Sequence, residues 1–145
     1  MFDKIKKDLI NSMKEQDKFK LSVLRMLKSA IQKEEINKKD ELTNEEVLSV
    51  IKKEVKVRNA SLEEYKEYGR NDLADNLQKE IDILKTYLPE ELSHEELIKI
   101  IDEQFNIINP TSIKDMGKVI KAVSAIVGTR ADMSEVSKIV KEKLS

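Results

Sequence analysis

The chain has 145 residues, 39% hydrophobic and 38% charged, with 27 basic side chains against 28 acidic ones, a mix that suits one or two small domains of solvated helices. It contains no Cys, which excludes disulfides, thiolate zinc sites and cysteine nucleophiles. The longest stretch without a charge, residues 104–113, falls short of the roughly 18 residues a membrane helix needs, and the N-terminus lacks a signal-peptide core; a cytoplasmic protein with no membrane partner is expected.

Phe2, Ile5, Leu9 and Met13 recur at three and four residues, which predicts an amphipathic helix to about Glu15. Asp17 is placed to cap a second helix, to about Asn37, with Leu21, Leu24, Leu27 or Lys28, and Ile31 along its apolar side, widened by Val23, Met26 and Ala30. Residues 1–39 carry eleven basic and six acidic side chains, read as a solvated helix surface. Leu42-Thr43-Asn44-Glu45-Glu46-Val47 is a full helix start: Thr43 caps, Glu46 bonds back, and Leu42 staples onto Val47. No breaker follows until Gly69, so a third helix roughly 37 Å long is expected at about 1.5 Å per residue. Leu48, Ile51, Val55, Leu62 and Tyr65 form its stripe, with Arg58 in line between them. An arginine there needs an acid, and Glu80 and Asp82 on the next helix are the candidates; the alternative is an Arg58 that faces a ligand. Gly69 supplies the left-handed residue that closes a helix. Asn71 or Asp72 then starts a fourth helix, antiparallel to the third, carrying Leu73, Leu77, Ile81, Leu84 and Leu88.

Proline fixes its own φ, lacks an N–H and pushes the preceding residue out of the α region, so Leu84-Lys85-Thr86-Tyr87-Leu88-Pro89 should end that helix near Leu88. The predicted organisation is a helical domain over residues 1–89 and a three-helix domain over 90–145. Leu92-Ser93-His94-Glu95-Glu96-Leu97 repeats the start signal, with Ser93 as cap and Glu96 closing the box. Leu97, Ile101, Phe105 and Ile108 follow, ending before Asn109-Pro110. Ser112 and Asp115 form a weaker cap for a helix whose Met116, Val119, Ile120, Val123, Ile126 and Val127 lie within about 120° of arc. Lys114, Lys118 and Lys121 lie opposite. Gly117 within this helix costs about 1 kcal/mol against Ala, which points to a close backbone approach. Gly128 or its neighbour ends the helix, and Asp132 with Glu135 starts the last, whose Met133, Val136, Ile139, Val140 and Leu144 face inward while Lys138 and Lys141 point away.

No Gly-rich phosphate loop, Ser-centred elbow or metal-spaced set of His occurs, so no catalytic residue, metal or cofactor is assigned. His94 is the sole histidine, and the many adjacent Glu pairs do not face one another on a helix. Residues 110–145, with seven basic and four acidic side chains, suit contact with RNA phosphates, although no stripe of aromatics supports base stacking.

Arg58, Arg70-Asn71-Asp72, Glu80, Tyr87-Leu88-Pro89-x-x-Leu92 and Lys114-Asp115-Met116-Gly117-Lys118-Val119, in this order, resemble the YqeY-like family, also called GatB/YqeY domain proteins, over nearly the whole chain. The resemblance implies an all-α fold in which an N-terminal helical domain is joined to a small three-helix domain. That second domain is similar to the tail of the B subunit of the glutamine-dependent aspartyl/glutamyl-tRNA amidotransferase, a tail that contacts tRNA; the subunit's catalytic body has no counterpart here. A non-catalytic, tRNA-associated protein is therefore expected, with Lys114, Lys118, Lys121, Arg130 and Lys138 against the phosphate backbone. The chain departs from the family pattern at Thr129, where a glycine commonly stands two residues before the Ala131-Asp132 pair, and at Lys121, also often glycine. Two rival readings are a module that docks an amidotransferase or other translation factor, and an accessory to carbon–nitrogen ligase activity with glutamine as donor.

Overall fold

Apolar side chains recur every three or four positions along almost the whole chain, and in the computed structural model, which describes residues 1–145, the backbone forms seven α-helices and no strand. They are α1 (Phe2–Lys14), α2 (Lys18–Lys38), α3 (Asn44–Glu67), α4 (Asn71–Lys85), α5 (His94–Ile108), α6 (Met116–Val127) and α7 (Met133–Leu144). The chain divides into two units, Met1–Leu88 and Pro89–Ser145. No helix is long and apolar enough to cross a membrane.

In the first unit, α1 to α4 enclose a core that includes Ile5, Leu24, Ile31, Ile51, Ile81 and Leu84, all at most 1% exposed. Each such side chain contributes about 1.5–3 kcal/mol through burial. Asp17 caps α2 by accepting the Lys20 N–H. At the start of α3 the reciprocal box is complete, with the Glu46 N–H on Thr43 Oγ1 and the Thr43 N–H on Glu46 Oε1. The same Glu46 carboxylate holds Lys38 at 2.6 Å, tying the end of α2 to the start of α3. Gly69 takes φ 71°, and the Arg70 N–H reaches back to the Tyr65 carbonyl while the Gly69 N–H takes that of Lys66. Glycine takes this left-handed conformation without the strain that a β-carbon brings. The hairpin that follows is antiparallel, since Arg58 and Glu80, equally far from Gly69, face one another across it.

Two expectations for α4 change. Its α-helical bonds stop at Lys85, and three successive i→i+3 bonds carry the chain from Thr86 to Leu88. That tighter turn brings Tyr87 into the core, 6% exposed, and leaves Leu88 only half-buried. At the other end Ala74, not Leu73, is the deeper residue.

The second unit packs α5, α6 and α7 around Leu97, Ile101, Val119, Val123, Val136 and Val140. Ser93 accepts the Glu96 N–H, without the return bond from the Glu96 side chain seen for Glu46 in α3. His94 pairs with Glu135 and Asp102 with Lys143, both 41 residues apart, so α5 and α7 run parallel in fixed register and α6 returns between them. The Leu92 N–H donates to the Arg130 carbonyl at 2.9 Å, joining the two approaches to α5 and α7.

Around α6 three expectations are corrected. Ser112 caps a 3₁₀ turn, Ile113–Asp115, and Asp115 does not cap α6, because its carboxylate turns back to the Thr111 N–H. Ile126 is 44% exposed: Val119, Val123 and Val127 hold the middle of the buried arc and Ile126 falls at its edge. Gly117 faces open space, and a β-carbon placed there would meet no atom within 4 Å, so no backbone of this chain approaches it. The positive φ at the end of α6 belongs to Gly128, at 54°, and Thr129 does not share it. Asp132 caps α7 through the Ser134 N–H.

Candidate nucleic-acid interface

The apolar side of α6 fixes where its charges must go. Val119, Val123 and Val127 are buried, which turns Lys118 and Lys121 outward, and Lys114 joins them from the preceding 3₁₀ turn. All three lysines are exposed, and none makes an ion pair. They span seven residues, about 10 Å along the axis. Asp115 is the neighbouring acid. The Thr111 N–H holds its carboxyl below the usual range, helped by the Ser112 N–H and the Thr111 hydroxyl, with Lys118 contributing least. The positive end of the helix dipole lies at the same end of α6.

The two other predicted site residues are not gathered there. Arg130 is half-buried, and its guanidinium donates to the Ile126 carbonyl at 3.0 Å and the Val127 carbonyl at 3.3 Å. It closes the last turn of α6, at the opposite end from Lys114. Lys138 is exposed on α7, on the side away from buried Val136 and Val140. His94 is exposed, with Nδ1 3.0 Å from Glu135 Oε1.

In the first unit Arg58 is an inward-facing structural residue. It is 7% exposed and donates to Glu54 Oε2 at 2.8 Å and the Glu54 carbonyl at 3.1 Å. Its Nε lies 3.6 Å from Glu80 Oε1 and makes no hydrogen bond. Of the two acids expected on α4, Glu80 serves; Asp82 instead accepts from Gln78. The partner that sequence reasoning missed, Glu54, stands one turn back on the same helix, where i,i+4 spacing signals it. Also missed was the bond from the Tyr87 hydroxyl to Asp8 Oδ2, 2.6 Å long, which joins residues 79 apart. Burial chiefly, and Asp8 next, push the Tyr87 phenol well above its ordinary pKa.

The model of one family, described as Yqey-like protein, matches residues 2–144. The chain belongs to the Yqey-like family. Among relatives of this Yqey-like chain, an uncharacterized protein of Schizosaccharomyces pombe is 34% identical over 90 residues, covering 62% of this chain and 73% of that protein. The protein named Altered inheritance of mitochondria protein 41, mitochondrial, from Pyrenophora tritici-repentis is 29% identical over 144 residues, 96% of this chain and 78% of its own length. A protein of the same name from Vanderwaltozyma polyspora is 33% identical over 85 residues, 58% of this chain and 46% of that one. The names of these relatives state no ligand and no reaction.

Proposed function

We propose that this Yqey-like protein binds tRNA through its second unit and catalyses no reaction on its own. The observation that carries this reading is the row of Lys114, Lys118 and Lys121, exposed and unpaired on one side of α6, with the adjacent carboxylate of Asp115 turned back into its own loop. Cations so placed neutralise phosphates and release counterions. The resemblance of this unit to an amidotransferase tail supports tRNA over other nucleic acids. Lys138 adds a cation on a separate helix, and Arg130 acts by shaping the end of α6. The proposed location is the cytoplasm; the mitochondrial naming of fungal relatives is compatible with the same role, because translation uses tRNA in both compartments.

Fluorescence anisotropy with a tRNA transcript tests this. Affinity should fall by about one order of magnitude or somewhat more between about 50 and 200 mM salt, as a few phosphate contacts require. Charge reversal of Lys118 and Lys121 together should weaken binding about tenfold or more at fixed salt. Absence of tRNA binding at low salt overturns the reading.

A second reading, docking of an amidotransferase or translation factor, is favoured by Val57 and Tyr68, 56% and 72% exposed on and just beyond α3. Crosslinking in cells that recovers RNA but no protein adduct on α3 would count against it.

A further inference from the structure

The cationic side of α6 differs from an ordinary solvated helix face in what lies between its lysines. At 100° per residue along α6, Lys118, Ala125 and Lys121 fall within an arc of about 60° and Gly117 lies about 40° beyond Lys121, all of them exposed, with exposed Lys114 in the turn just before. Nothing larger than a methyl group stands beside the lysines on this arc. A β-carbon at Gly117, one turn before Lys121, would meet nothing within 4 Å, so the helix backbone itself is bare to solvent there. Glycine is otherwise a poor choice in a helix, and the fold does not require it at this position. Along the axis, Lys114 and Lys118 are about 6 Å apart and Lys118 and Lys121 about 4.5 Å. Those steps are comparable to the spacing of neighbouring phosphates on one strand. No aromatic side chain on this face offers a platform for bases.

Building on the tRNA reading above, we infer that α6 receives the sugar–phosphate backbone of a single RNA strand, with neighbouring phosphates on Lys114, Lys118 and Lys121, closest approach at Gly117, and the bases turned away. Recognition on this face is then indifferent to base identity and sensitive to bulk at residue 117. Three phosphate contacts on a single strand correspond to a slope of log affinity against log salt of about −2.

The test uses the full chain with labelled oligo(U), oligo(A) and oligo(C), beside the tRNA transcript, for the natural protein and for Gly117→Ala, Gly117→Gln and Lys121→Ala. The three oligomers should bind with similar affinity, and Lys121→Ala should lower the salt slope by about 0.7. Gly117→Gln should weaken binding about tenfold, a loss that a purely structural glycine would not produce. Thermal melts accompany each variant; Gly117→Ala should melt at or above the natural temperature and still bind more weakly, which separates loss of contact from loss of fold. If the natural protein binds neither tRNA nor oligomers, the tRNA reading fails and this inference with it. If it binds, and Gly117→Gln or Gly117→Ala binds equally well, or one base is strongly preferred, the close backbone approach alone is overturned.

Discussion

In the first unit Arg58 lies 7% exposed between Glu54 and Glu80, and the Ser12 side chain is closed to solvent as well; in the second unit every buried side chain is apolar. The second unit sets its helix register at the rim instead, through His94 with Glu135 and Asp102 with Lys143. A buried arginine that must meet a carboxylate on the opposite arm of a hairpin permits one alignment of α3 on α4. Surface pairs specify more weakly and stabilise by roughly 0–1 kcal/mol each. The arrangement leaves the lysines of α6 and of the turn before it without an ion pair in their own fold, whereas Arg130 is held by the Ile126 and Val127 carbonyls. The contrast makes the first unit a scaffold held by internal charge and the second a carrier of external charge.

Breaking the internal charge should therefore have the largest effect. Arg58→Ala removes the guanidinium from two carboxylates that are themselves only 31% and 19% exposed, and unfolding in urea should show a loss of about 3 kcal/mol. Lys138→Ala, which removes an exposed cation from the second unit, should stay within about 0.5 kcal/mol. Equal losses in the two variants would erase the distinction between the units.

The next effect belongs to Tyr87. Tyr87→Phe deletes the hydroxyl that donates to Asp8 and should cost about 1.5 kcal/mol near neutral pH. The pH dependence has a defined sign. The folded phenol titrates above its unfolded value near 10, so its contribution is complete below about pH 10 and is lost as pH rises through the raised folded value. The stability difference between the natural protein and Tyr87→Phe should thus shrink in alkali, a comparison in which the lysines common to both proteins cancel.

Tyr87 also shows where the sequence stops being legible. The helix starts at Thr43 and Ser93 and the stop at Gly69 can be read directly, because caps are made by residues three or four apart. The apolar stripes can be read for the same reason. Once α4 tightens after Lys85, however, the period of 3.6 no longer holds, so a count that carries Leu88 inward misplaces it by one residue and hides Tyr87. Its partner Asp8 is 79 residues away, and no local pattern reports that distance. The candidate site divides in the same manner. Outward placement of Lys114, Lys118 and Lys121 follows from the buried valines of α6, whereas the engagement of Arg130 depends on where the carbonyls of Ile126 and Val127 point before the turn at Gly128. Gly117 was legible as an anomaly, but only coordinates distinguish a glycine crowded by backbone from one open to solvent.

The smallest effect expected lies at Asp115, where the two uses of charge meet in one residue. Its carboxylate accepts from the Thr111 N–H at 3.0 Å and sits beside Lys118 on the face proposed for RNA. Its folded pKa lies below the usual range, so its contribution to stability is present above about pH 4 and is lost as pH falls through the folded value. Asp115→Asn should lower the melting temperature slightly at pH 7 and merge with the natural protein in acid. It also removes a negative charge that acts on Lys118, so RNA affinity at low salt should rise as stability falls. Opposite signs in the two measurements would show that the carboxylate serves the turn and tempers the cationic face; a loss of both would mean that the 111–115 turn must be intact for Lys114 and Lys118 to present their charges.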